Sequence, residues 1–153
     1  SSPDASRGRV VAGRPFGYVE SEPVIPRLGD RGLSLCNEQA ADPAGVDAVV
    51  SLTAEPRALT THHRPLVDGP EVDPGAFAAA VVDVRRLRRE VDSVLVHCTA
   101  GVSRSPALSA ATLALEEGMS LRGGLAVVRP VRPVATPHPA VFEAALAAVF
   151  AGR

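Results

Sequence analysis

The chain has 153 residues, 46% hydrophobic and 22% charged, with a formal net charge of −1. That length suits a single domain with a core of its own, and the balanced charge excludes the global basic field that recruits nucleic acid or an anionic membrane. Two cysteines exclude a disulfide framework and point to a reducing, cytoplasmic setting.

Residues 1–22, rich in Gly, Pro, Arg and Ser, read as a lead-in, which leaves one domain over 23–153. Residues 24–67 read as strands with one helix between them. His62 and His63 are adjacent rather than four apart and have no carboxylate cluster beside them. They are expected as an exposed turn rather than metal ligands, with a place at the rim of a site as the alternative. The run Arg64-Pro65-Leu66-Val67-Asp68-Gly69-Pro70 ends a short apolar stretch at an acid followed by Gly-Pro, the composition of a mobile loop at a strand end. Between 74 and 91, Phe77, Val81, Val84, Leu87 and Val91 recur at helical spacing. Arg85, Arg86, Arg88 and Arg89 fall off that face, as a solvated surface or, alternatively, a docking patch for acidic substrates.

Ser93-Val94-Leu95-Val96 reads as a short buried strand. A helix is predicted from Ser105 to about Gly118, where a glycine can end it. Two more are predicted at 121–128 and 139–151, separated by a Pro-rich segment. Strands alternating with helices predict an α/β fold, a mainly parallel central sheet of about four to five strands flanked by helices on both faces. No secretory leader, long apolar span or internal repeat is legible.

The run His97-Cys98-Thr99-Ala100-Gly101-Val102-Ser103-Arg104-Ser105 joins the buried strand to the predicted helix. An Arg six places after a Cys arises often by chance in a chain with 16 basic residues. Gly at the fourth loop position, Ser after the Arg, and the strand and helix on either side make the pattern specific. Such a loop binds anions, because its amide N–H groups converge with the positive end of the helix dipole. Thr99, Ala100, Gly101, Val102 and Ser103 would line a phosphate cradle, and Arg104 would close it with a planar fork matched to phosphate oxygens.

Helix N-termini and nearby cations favour the thiolate form of a cysteine, which is the nucleophilic form. Cys98 would attack phosphorus and form a phosphocysteine that water then hydrolyses. The Ser105 hydroxyl would donate to the departing thiolate, and His97, on the strand side of the cysteine, would order the loop. An alkoxide or phenoxide leaves poorly without a proton, so a general acid is required. Asp68 is the best candidate, with Glu71 and Asp73 as competitors further along the loop.

These residues resemble a cysteine-dependent protein phosphatase of the dual-specificity type, within the protein tyrosine phosphatase superfamily, over most of the chain. On that resemblance, residues 32–37 match an early strand leading into a helix near 38–41, and residues 45–52 match the next, buried parallel strand. Asp68 stands 30 positions before Cys98, close to the family's separation of acid and nucleophile. Arg129, Arg132 and Pro137-His138 resemble its closing segment, which usually carries Asn where this chain has His138. The Ala100 to Ser105 loop is of the dual-specificity kind; phosphoinositide phosphatases tend to place Lys there, and this chain has none.

The resemblance implies a phosphotyrosine or dual-specificity protein phosphatase that needs no cofactor or metal. Its partner would be a phosphorylated protein or small phosphomonoester, with no nucleic acid or membrane and a monomeric state expected. A small-molecule phosphatase, a rhodanese-like sulfurtransferase and a non-catalytic phosphopeptide-binding module are the alternatives. Cys36 reads as a small core hydrophobe, with a redox partnership to Cys98 as the weaker reading.

Overall fold

A computed structural model of the protein describes residues 27–36 and 46–153. The lead-in at 1–22 and the helix expected near 38–41 lie outside the described residues. Among the described residues, four short strands form one parallel sheet: β1 (Leu33–Cys36), β2 (Ala48–Ser51), β3 (His62–His63) and β4 (Val94–His97), in the order β1–β4–β2–β3. β1, β2 and β4 are buried at every position, as parallel strands covered on both sides are. β4 lies between β1 and β2, with His97 in register with Cys36 on one side and Ser51 on the other.

Alternate side chains sort to the two faces of the sheet. Leu33, Leu35, Ala48, Val50, Val94 and Val96 join the main core, and Cys36, Val49 and Leu95 pack with Val46 in a smaller cluster. Cys98 belongs to the main core. The two thiols therefore sit in separate clusters, and Cys36 is a core residue, as the first reading had it.

Among the described residues the helices are α1 (Pro74–Glu90), α2 (Arg104–Glu117), α3 (Leu121–Val128) and α4 (Pro139–Ala151). Asp73 caps α1, its carboxylate accepting from the Gly75 N–H at 3.1 Å, and Pro74 occupies the first turn, where its missing N–H is no loss. The buried stripe Phe77, Ala80, Val81, Val84 and Leu87 follows the predicted spacing. α2 is buried at ten consecutive positions from Ser105 to Ala114, the pattern of a central helix wrapped by others. It ends at Gly118, φ +70°, as predicted. α3 packs so closely on α2 that a Cβ on Gly124 would lie 2.2 Å from the Ala110 carbonyl oxygen.

Two sequence expectations change. The histidine pair is not an exposed turn: it forms the half-buried edge strand β3, and His63 Nε2 lies 2.9 Å from the Thr53 carbonyl. Nor does a strand run up to Asp68. Past β3 the chain stays beside β2 through single bonds, Arg64 N–H to Ser51 O (2.9 Å) and Leu66 N–H to Leu52 O (3.0 Å), because Pro65 has no N–H to continue a ladder. The arginines of α1 also do more than face solvent. Arg85 and Arg88 reach Glu116 of α2, and Arg86 pairs with Asp83 one turn back.

Candidate active site

β4 delivers His97 and then Cys98 to the carboxyl end of the sheet, where open α/β folds hold their ligands. The residues from Thr99 to Ser103 form the loop, and Arg104 opens α2. Gly101 takes φ +69°, a left-handed conformation that would cost another residue about 1–2 kcal/mol, which accounts for the glycine at this position.

Three loop carbonyls are held from outside. Arg132 donates from Nη2 to Ala100 O (2.8 Å) and from Nε to Gly101 O (3.1 Å), and the Thr136 N–H donates to Val102 O (2.7 Å). In a trans peptide the C=O and the following N–H point in opposite directions. Fixing these carbonyls outward therefore turns the N–H groups of Gly101, Val102 and Ser103 inward, to the concave side. Arg132 is buried, at 5% exposure. The resemblance marks Arg132 as part of the closing segment, but which carbonyls it would hold was not legible in the sequence.

The Cys98 sulfur is buried and lies 3.3 Å from Ser105 Oγ, and the Ser105 N–H donates to it at 3.4 Å. Arg104 Nη1 donates to the carbonyls of Leu66 (2.8 Å) and Leu52 (3.3 Å), and Nη2 to Thr99 Oγ1 (3.1 Å). Its Nε is buried and has no hydrogen-bond partner among the described residues. A buried guanidinium N–H left unpaired is a donor awaiting an acceptor. The Nε–Nη2 edge is thus the side of the fork available for two oxygens of a tetrahedral anion.

His97 is fully buried, and its Nε2 lies 2.6 Å from Ser51 Oγ, which lies 2.6 Å from Thr60 Oγ1. This contact ties the end of β4, just before the loop, to the end of β2. Asp68 reaches the loop through Ser103, whose hydroxyl donates to Oδ1 at 2.6 Å. Of its competitors, Asp73 is committed to capping α1, and Glu71 is exposed. His138 takes the N-cap of α4, Nδ1 accepting from the Ala140 N–H at 3.0 Å, so the imidazole does the work of a capping amide. Cys98, Ser105, Arg104, Thr99, Ser103 and Asp68 are joined to one another or to their neighbours by hydrogen bonds at the carboxyl end of β4.

Residues 38–147 match the family model for the dual specificity phosphatase catalytic domain. The chain belongs to the dual specificity phosphatase family. It is 28% identical over 144 residues to dual specificity protein phosphatase 12 of Mus musculus, which covers 88% of this chain and 40% of the mouse protein. The chain thus spans well under half the length of that relative. Among solved structures, a point variant of human DUSP28 aligns with a TM-score of 0.75 at 27% identity, over 85% of this chain and 97% of that one. A mouse putative dual specificity phosphatase complexed with zinc tungstate also aligns at 0.75, with 25% identity over 87% and 91%. No helix among the described residues is long and apolar enough to cross a membrane.

Proposed function

We propose that this phosphatase domain hydrolyses phosphomonoesters through a phosphocysteine at Cys98. In the first step the thiolate attacks phosphorus, the bond to the leaving oxygen breaks, and Asp68 gives that oxygen a proton. The inward loop amides and the Nε–Nη2 edge of Arg104 stabilise the equatorial oxygens as charge builds. In the second step water attacks phosphorus, Asp68 takes its proton, and the S–P bond breaks as the Ser105 hydroxyl hydrogen-bonds to the departing thiolate. Inorganic phosphate leaves and the thiolate is restored.

The observation that carries this reading is the Cys98 sulfur, buried at the base of the loop and bonded to both the N–H and the hydroxyl of Ser105. A structural core cysteine has no need of such partners. The tungstate in the mouse relative's complex is a tetrahedral oxyanion of the kind this cradle would take. The substrate favoured is a phosphotyrosyl or phosphoseryl/threonyl protein, as the family name implies. With no Trp, one Tyr and four Phe the chain has few rings to sandwich phosphotyrosine, which suits a shallow site open to more than one phosphoamino acid.

The test is hydrolysis of p-nitrophenyl phosphate with and without vanadate and a chelator, beside a thiosulfate sulfur-transfer assay and rapid acid quench with labelled substrate. Vanadate-sensitive, chelator-insensitive turnover with label trapped on Cys98 is expected. Sulfur transfer without phosphate release would instead make the site a sulfurtransferase, and binding without turnover a recognition module.

A further inference from the structure

Asp68 and the anion loop meet through one side chain. Ser103 is 3% exposed, and its Oγ lies 2.6 Å from Asp68 Oδ1 and 2.8 Å from the backbone N of His138. A hydroxyl has one proton and two lone pairs. The His138 N–H can only donate, so it occupies a lone pair of Ser103, and the hydroxyl proton is directed to Asp68 Oδ1. If Asp68 carried its own proton on Oδ1, the Ser103 hydroxyl would have to turn away and leave a buried donor without its acceptor.

We infer that Ser103 is a positioning residue that selects Oδ2 as the proton-carrying oxygen of Asp68 and aims it at the leaving group. The inference rests on Asp68 being the general acid. Ser103 then serves the phosphate through its backbone N–H, while its side chain serves the acid. The start of α4, through the His138 N–H, sets the direction of that hydroxyl and so takes part in orienting a carboxylate 70 positions earlier in the chain.

The experiment compares Ser103→Ala, Ser103→Thr, Asp68→Asn and the double variant Ser103→Ala/Asp68→Asn on a series of aryl phosphates running from p-nitrophenol to phosphotyrosyl peptide. Ser103→Ala should lower kcat roughly tenfold to a hundredfold on the poorest leaving group, and less as the leaving group improves. Ser103→Thr should recover most of the loss, because it keeps the hydroxyl. In the Asp68→Asn background, removing the Ser103 hydroxyl should add no further leaving-group dependence, since Ser103 acts only through the acid.

A Ser103→Ala loss that is uniform across leaving groups, or that stacks undiminished on Asp68→Asn, overturns the inference and leaves the acid in place. A flat response of Asp68→Asn itself overturns the acid assignment, and the inference with it. Tungstate affinity, read by calorimetry, checks the cradle. Affinity lost in Ser103→Ala and not restored in Ser103→Thr would show that Ser103 builds the cradle rather than aiming the acid, and this too overturns the inference.

Discussion

The cysteine loop and the segment carrying Asp68 are held in opposite ways. The loop is fastened along its length by α2 behind it, by Arg132 and the Thr136 N–H on its carbonyls, and by Ser105 on its sulfur. The acid segment is held to the sheet by the Arg64 and Leu66 amides and by the buried Leu66 side chain, with Arg104 on the Leu66 carbonyl and Ser103 on Asp68 as further fastenings. At its root, Arg64 pairs with Asp83 of α1. Two of these anchors belong to the anion loop itself, so the groups that would grip phosphate also locate the acid. On the proposed mechanism, a site built this way would couple binding and protonation through shared residues.

Cys98→Ser should break the chemistry and spare the architecture. Turnover of p-nitrophenyl phosphate is expected to fall roughly 10⁴-fold or more, while tungstate binding by calorimetry persists, because the amides and Arg104 are untouched. Asp68→Asn should cost roughly 10²–10⁴ in kcat on a phosphotyrosyl peptide and much less on an activated aryl phosphate. Asp73→Asn should leave that leaving-group dependence unchanged and move Tm little, since an asparagine oxygen caps α1 about as well as the carboxylate does. If the two variants exchange phenotypes, the acid lies five residues further on and the shared anchoring described above does not exist.

Arg104→Lys bears most directly on the shared anchors. A single ammonium cannot hold the Leu66 carbonyl and present two parallel donors to the anion. A loss of roughly 10²–10³ in kcat/KM is expected, with the leaving-group dependence made steeper as the acid segment loosens. A loss equal for all leaving groups would show that Arg104 clamps phosphate without steadying the acid.

Two smaller effects concern stability. His138→Ala should lower it by about 1 kcal/mol through the lost cap, and His138→Asn should retain it, both read by chemical denaturation. Acid should act first at the root of the acid segment. Burial of Asp83 disfavours its ionised form, but hydrogen bonds from Arg64 and Arg86 and the pull of both guanidiniums outweigh this and hold the carboxyl below its ordinary value. A depressed acid in the fold gives stability that is present above the unfolded value of about 4 and lost as pH falls through the lower folded value. Amide exchange around 64–68 should therefore quicken below about pH 4, before that of the loop at 99–103, and Asp83→Asn should bring the same loosening to neutral pH.

The helices were legible because their signals are local. The spacing of Phe77, Val81, Val84 and Leu87, the glycine at 118 and the prolines at 74 and 139 each act within a turn or two. β4 and the loop were legible for the same reason, with strand, nucleophile, glycine, arginine and helix contiguous in the chain. The histidine pair was misread because an edge strand two residues long has no periodicity of its own, and its pairing with Val50 and Ser51 depends on a partner twelve positions away. Ser51 and Thr60 were invisible as site residues, and Arg132 was visible only through the resemblance of the closing segment, since each acts through contacts with segments distant in sequence. Asp68 could be singled out only because the cysteine loop demands an acid; Ser103 makes the connection physical.

Arg132 has one more consequence, for the kinetics of encounter. The carbonyls of Ala100 and Gly101 are held by a buried guanidinium, so the concave shape of the loop is fastened by the protein's own contacts. On the proposed function, an incoming phosphate ester would find donors already oriented and would not have to wait for a loop to fold around it. The association rate should then follow collision frequency, and it should not saturate at high ligand concentration, as a slow rearrangement before docking would require. The same site loaded with tungstate or with substrate should show one fast binding phase, and Arg132→Met should introduce a second, slower one.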